Sequence, residues 1–187
     1  MKNIVIFASG SGTNAQNICE HFKSDPAIKV AALFCNKPGA GVIERMKAFH
    51  VPVHVFSRTE FKEEHTFLSL LDPYQPDLIV LAGFLWLIPD FLVKKYPGKI
   101  INIHPALLPR FGGKGMYGHH VHEAVLLAKE KEHGITIHFV NEKYDEGQPV
   151  FQAKFDVKPG ATLDDIQKSI SALEMQYFPE AIKRVLS

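Results

Sequence analysis

Three short, almost unbroken apolar runs constrain this chain most: Asn3-Ile4-Val5-Ile6-Phe7-Ala8, Ile28-Lys29-Val30-Ala31-Ala32-Leu33-Phe34 and Asp77-Leu78-Ile79-Val80-Leu81-Ala82. Runs of this length with little polar alternation are strands covered on both faces, the condition of a parallel sheet. Between them lie segments of helix length, Thr13 to Lys23, Gly41 to Phe49 and Phe61 to Leu71, which mix apolar and charged positions at helical spacing. Strand and helix therefore alternate, as in a doubly wound α/β unit with helices on both faces of a mostly parallel sheet. Lys99-Ile100-Ile101-Asn102-Ile103 continues that sheet. A Gly-rich loop and a helix over about His119 to Glu132 lead to Gly134 to Val140 and Pro149 to Phe155, which alternate more strongly across a short polar loop. They predict a partly exposed antiparallel extension. Thr162-Leu163-Asp164-Asp165 has the form of a capping box, with Asp in place of Glu, and opens a long C-terminal helix.

A chain of 187 residues, 46% apolar, has interior enough for one domain spanning 1–187. Its formal charge of +1 leaves no electrostatic footprint for nucleic acid. No stretch reaches the roughly 20 apolar residues of a membrane span, and Met1-Lys2-Asn3-Ile4 runs directly into a strand without signal-peptide design. The expectation is a cytoplasmic protein with neither membrane nor nucleic-acid partners. Cys19 and Cys35, one on a helix and one at a strand end, give no disulfide framework and read as small core residues.

The chemistry concentrates in Ile101-Asn102-Ile103-His104-Pro105-Ala106-Leu107-Leu108-Pro109. Strand alternation points Asn102 and His104 the same way, so an amide and an imidazole can reach one developing oxyanion, as acyl transfer requires. Pro105 and Pro109 stiffen the loop that follows. Asp145 lies in the polar loop Tyr144-Asp145-Glu146-Gly147-Gln148-Pro149. A carboxylate there either stabilises its own turn or manages the protons of an attacking amine.

Ser9-Gly10-Ser11-Gly12-Thr13-Asn14 follows the first strand and opens the first helix, so its backbone N–H groups face an anion position. Gly10, Gly12 and Ala15 also satisfy a relaxed dinucleotide fingerprint. The second strand, however, ends in Phe34-Cys35-Asn36-Lys37, without the acidic residue that a ribose hydroxyl needs. A monophosphate, another nucleotide, or a tight turn without ligand all remain open on this motif alone. His119, His120, His122, His133 and His138 suggest a metal, but the first three fall at i, i+1 and i+3, which is not a helical zinc spacing. Phe84-Leu85-Trp86-Leu87-Ile88-Pro89 lies at the C-terminal end of a central strand, where open α/β sheets place ligands; it is either core or a wall for a flat aromatic ligand.

Together the turn Ser9 to Asn14, Leu81-Ala82-Gly83-Phe84, the strand-loop Asn102 to Pro109, and His133-Gly134 through His138-Phe139-Val140 to Asp145 resemble the folate-dependent formyltransferases, over nearly the whole chain and in order. The strand-loop is common to that family, and the phosphate turn resembles its purine-synthesis members. The resemblance implies a single-domain, Rossmann-like formyltransferase fold whose N-terminal half binds a ribonucleotide phosphate and whose C-terminal half binds folate and carries the chemistry. It implies transfer of formyl from 10-formyltetrahydrofolate, as co-substrate, to the amine of glycinamide ribonucleotide, without a metal, by a monomer or homodimer. Asn102, His104 and Asp145 would be catalytic, with Asp145 keeping His104 charged. Gly12, Thr13 and Asn14 would hold the phosphate and Glu174 the ribonucleotide. Leu85, Trp86, Leu87, Ile88, Asn102, Val140 and Asp145 would bind folate. The alternatives are a formyltetrahydrofolate hydrolase, a formyltransferase acting on another amine, or a non-catalytic nucleotide-binding module. The segment Arg110 to Gly118 is longer than in common bacterial members, Trp86 replaces a basic residue found in some, and only Arg58 lies near the place of an arginine that some use on the folate tail.

Overall fold

The computed structural model describes residues 1–187 as an α/β chain. Its strands are β1 (Lys2–Ala8), β2 (Ile28–Cys35), β3 (Val53–Val55), β4 (Leu78–Leu81), β5 (Ile100–His104), β6 (Glu132–Phe139) and β7 (Pro149–Asp156). They form one seven-stranded sheet in the order β3-β2-β1-β4-β5-β6-β7. The helices are α1 (Thr13–Phe22), α2 (Gly41–Lys47), α3 (Arg58–Lys62), α4 (Glu64–Leu71), α5 (Asp90–Lys95), α6 (His119–Leu127) and α7 (Leu163–Leu186). Two compact units divide within β5, Met1–Ile101 and Asn102–Val185.

In the first unit β1 is the middle strand, parallel to β2 from Lys2↔Ile28 to Ala8↔Cys35 and to β4 from Ile4↔Leu78 to Phe7↔Leu81. Ile4 to Ala8 are wholly buried, which is why that run carries no polar alternation. Phe7 is the hub of an aromatic core, within 6.4 Å of Phe34, Phe56, Phe61, Phe67 and Phe84. Each such ring contributes about 1.5–3 kcal/mol on burial, and this cluster fixes the C-terminal ends of β1 and β4, where the turn and the Phe84 segment begin. Cys19 and Cys35 are buried and free, and burial pushes the Cys19 thiol up to about 12.

In the second unit β6 and β7 pair antiparallel from Glu132↔Asp156 to His138↔Pro149, the predicted extension. α7 begins at the predicted capping box: Asp165 N donates to Thr162 Oγ1 at 3.2 Å and Thr162 N to Asp165 Oδ2 at 2.9 Å. No helix is long and apolar enough to cross a membrane.

Several boundaries differ from the sequence expectation. The helix expected over Phe61 to Leu71 is two helices, because Glu63 is extended (φ −94, ψ 108) and its carboxylate caps α4 by accepting Thr66 N at 2.7 Å. α6 stops at Leu127 rather than Glu132; Lys129 turns left-handed at φ 52, and Glu132 already belongs to β6. β3 and α5 carried no strong periodic signal, being three and six residues long.

Candidate active site

The end of β5 delivers the expected pair. Ile101 and Ile103 pack inward, while Asn102 is half-buried and His104, on the same strand face, is buried. The loop that leaves the strand is pinned by Thr136 on β6, whose Oγ1 donates to Ala106 O at 2.7 Å and accepts from Leu108 N at 3.0 Å. Gln152 of β7 reinforces it, Nε2 donating to Leu108 O at 3.0 Å and lying 2.8 Å from Thr136 Oγ1.

Asp145 meets this pair. Its Oδ2 lies 3.5 Å from His104 Nδ1 and accepts Gly113 N–H at 2.9 Å, while its Oδ1 lies 3.5 Å from Asn102 Nδ2. The loop that carries it turns tightly, with Asp145 left-handed at φ 55 and Phe139 N donating to Gln148 O at 2.9 Å. Gly147 permits this approach, because a Cβ there would sit 1.6 Å from Phe139 O.

A fourth residue completes the cluster, and sequence reasoning left it out of the site. His138 Nε2 lies 3.2 Å from Asn102 Nδ2 and 3.5 Å from Asp145 Oδ1. The available signal was strand alternation in β6, Ile135 and Ile137 against Thr136 and His138. A register shift between Ile137 and His138 skips Val150 on β7 and re-aims the ring, as bulges beside active sites do. Because a carbonyl can only accept, the 2.8 Å contact of His138 Nδ1 with Phe139 O puts the proton on Nδ1. Nε2 faces both the Asn102 amide and the Asp145 carboxylate, and the carboxylate can only accept from it. The same reasoning puts a proton on His104 Nε2, which donates to Phe111 O at 2.8 Å.

Burial pushes the His104 pKa below the usual imidazole value, and the Asp145 carboxylate beside it only partly offsets this. Nε2 faces the Phe111 carbonyl and Nδ1 the Asp145 carboxylate, so both ring nitrogens lie against acceptors, and Asp145 favours the charged ring that burial opposes. Burial also raises Asp145, but the His138 hydrogen bond, the His104 ring and the Gly113 N–H outweigh it and hold the carboxyl below its ordinary value. An ionised Asp145 beside the His104 N–H pairs a carboxylate base with a hydrogen-bond donor.

In the first unit Ser9 to Asn14 forms the predicted turn. Gly12 is left-handed at φ 84 and brings no capping side chain to α1, so the first N–H groups of the helix lack a side-chain cap. Any Cβ on Gly12 would meet Val42 at 2.5 Å. Thr13 is exposed and Asn14 half-buried at the helix start. Buried Ser9 accepts Leu85 N–H on its Oγ at 3.1 Å, tying the turn to the Phe84 segment.

That segment is not all wall. Leu85 and Leu87 are 51% and 40% exposed, Trp86 is half-buried against Phe56, Phe61 and Phe84, and Ile88 is core at 2%. The Arg58 guanidinium lies 5.2 Å over the Trp86 ring, a cation–π contact at the edge of the segment. Val140 is half-buried just beyond β6, and Glu174 is half-buried midway along α7.

The remaining histidines divide. His122 and His133 are buried and share a hydrogen bond between Nδ1 and Nε2 of 3.1 Å. His119 and His120, exposed at the start of α6, come together with Glu123, their ligating atoms all within 4.8 Å; the sequence reading had weighed the histidines without this carboxylate.

A carboxylate, two imidazoles and an amide gathered in the second unit, and a phosphate-type turn after β1 in the first, mark an acyl-transfer enzyme of α/β type. The family model for formyl transferases matches residues 2–182, and the chain belongs to that family. Among its relatives, the phosphoribosylglycinamide formyltransferase of Bacillus subtilis is 38% identical over 100% of this chain and 95% of its own length. That of Escherichia coli is 34% identical over 96% of this chain and 85% of its own. The crystal structure of glycinamide ribonucleotide transformylase 1 from Geobacillus kaustophilus superposes with a TM-score of 0.90 at 37% identity, covering 100% of both chains.

Proposed function

We propose that this chain transfers the formyl group of 10-formyltetrahydrofolate to the amine of glycinamide ribonucleotide, a step of de novo purine biosynthesis. The observation that carries this reading is the Asp145 carboxylate, held among Asn102, His104, His138 and the Gly113 N–H. A single formyltransferase domain over 1–187 is part of the reading, with phosphate recognition in its N-terminal half and folate recognition and chemistry in its C-terminal half.

The amine lone pair attacks the formyl carbon, and the carbonyl π electrons move to oxygen, forming a tetrahedral oxyanion. Asn102 donates to that oxygen through its amide and His104 through Nε2–H, the formyl oxygen taking the place that Phe111 O holds here. Asp145 accepts the proton of the attacking nitrogen, directly or through water, and the relay returns one to the leaving folate nitrogen as its bond to carbon breaks. His138 helps to keep Asp145 ionised. Gly12, Thr13 and Asn14 bind the phosphate and Glu174 the ribonucleotide. Leu85, Trp86 and Leu87 give folate an apolar wall, Ile88 supports it from the core, and Asn102, Val140 and Asp145 complete the contacts.

Incubation with both substrates tests the reading. Formylated ribonucleotide is the expected product; free formate alone would instead mark a formylfolate hydrolase, and no product a binding module.

A further inference from the structure

In a turn that receives an anion, N–H groups attract and carbonyl lone pairs repel, so the carbonyls must be turned away and occupied. Around Gly12 three successive carbonyls are occupied. Val42 N on α2 donates to Gly10 O at 3.1 Å, and Gln16 N on α1 donates to Gly12 O at 2.9 Å. The middle one, Ser11 O, is taken by a side chain: Arg45 Nε donates to it at 2.8 Å. Arg45 Nη1 also donates to Gln16 Oε1, so one guanidinium spans α2, the turn and the first turns of α1.

Arg45 differs from the other donors in carrying a full charge. The turn otherwise offers backbone N–H groups and the neutral side chains Thr13 and Asn14, whereas a phosphate monoester carries about −1.5 to −2 at pH 7. Both groups that accept from Arg45 are neutral, a carbonyl and an amide, so neither cancels its charge. A guanidinium suits this place better than an ammonium, because its planar fork can hold two acceptors in fixed directions at once.

We propose that Arg45 is a positioning residue for the phosphate of the ribonucleotide: it holds the Ser11 carbonyl away from the anion and supplies the positive field that the neutral turn lacks. The proposal rests on the reading of Ser9 to Asn14 as the phosphate site. A residue that merely tied α2 to α1 would alter stability and all kinetic constants together; one that tunes the turn alters only constants involving phosphate.

The test uses the full-length enzyme, with inorganic phosphate as a competitor of the ribonucleotide. Arg45→Gln should raise both the Ki for phosphate and the KM for the ribonucleotide about tenfold, the lower end for an exposed charge-assisted bond. The kcat and the KM for formylfolate should stay as in wild type. Arg45→Lys, which keeps the charge and loses the fork, should fall between the two, and raising the salt concentration should shrink the differences. If phosphate competes equally with wild type and Arg45→Gln, the inference fails while the phosphate site stands. If phosphate does not compete even with wild type, the phosphate site fails and the inference with it. Should Arg45→Gln not fold, Arg45→Lys decides, a wild-type Ki overturning the proposal.

Discussion

His104 Nε2 donates to the main-chain oxygen of Phe111 at 2.8 Å, so the ring proton suited to a formyl oxygen is already held by a carbonyl of the following loop. In the proposed reaction the substrate's formyl oxygen would take the place of that carbonyl. The site is pre-organised for an oxygen acceptor, which is the larger part of oxyanion stabilisation. His104→Ala and Asn102→Ala should each lower kcat about 100- to 1,000-fold, the usual cost of one oxyanion donor, with both KM values nearly kept. Steady-state kinetics with both substrates check this, and a rise in KM without a fall in kcat would contradict it.

Asp145 must be ionised to accept a proton, and its pKa is held below the ordinary carboxylate value by groups that include the His138 hydrogen bond. Asp145→Asn should therefore abolish nearly all turnover while the protein stays folded. In His138→Ala that hydrogen bond is gone, so the carboxyl should titrate at higher pH than in wild type. Carbon-detected NMR of the labelled aspartate reads this directly, and an unchanged or lower titration point would oppose the role given to His138.

Thr13→Ala and Asn14→Ala should raise the KM for the ribonucleotide and leave that for formylfolate almost untouched. The reverse pattern in initial-rate measurements would move the phosphate away from this turn.

His133 is 1% exposed, and burial, with His122 and His104 nearby, pushes its pKa down to about 4. An unfolded histidine takes up its proton near pH 6.5, so the unfolded state binds more protons between these values. Stability should be full above about pH 6.5 and fall progressively towards pH 4, by roughly 3 kcal/mol for this one group. Urea unfolding at a series of pH values should show the decline, and His133→Gln should flatten it. An equal slope in the variant would assign the acid sensitivity elsewhere.

The α/β class, the antiparallel extension and the C-terminal capping box were legible because each rests on local pattern: buried apolar runs, alternation, and a Thr-Asp pair three apart. So were Asn102 and His104, which share a strand face by alternation alone, and Asp145, once the resemblance gave its loop a role. His138 was harder to place because its part depends on a register shift opposite Val150, which no local pattern announces. The setting of His104 was legible only in part: proximity to Asp145, which favours its charge, was inferable, but the depth of burial that opposes that charge was not. The loop after β5 gave up its prolines to sequence reading and hid Thr136, which holds it by hydrogen bonds from a strand about 30 residues away.

Gly12 touches Val42 so closely that no L side chain fits between them, and Val42 in turn holds Gly10. The hexapeptide Ser9 to Asn14 is thus not a portable motif. Moved alone into another α/β scaffold it would lose the surface that gives it shape, because α2, on the far side of β2, supplies that surface. Drift in the turn and drift in α2 are coupled, so variation in one should be tolerated only with matching variation in the other.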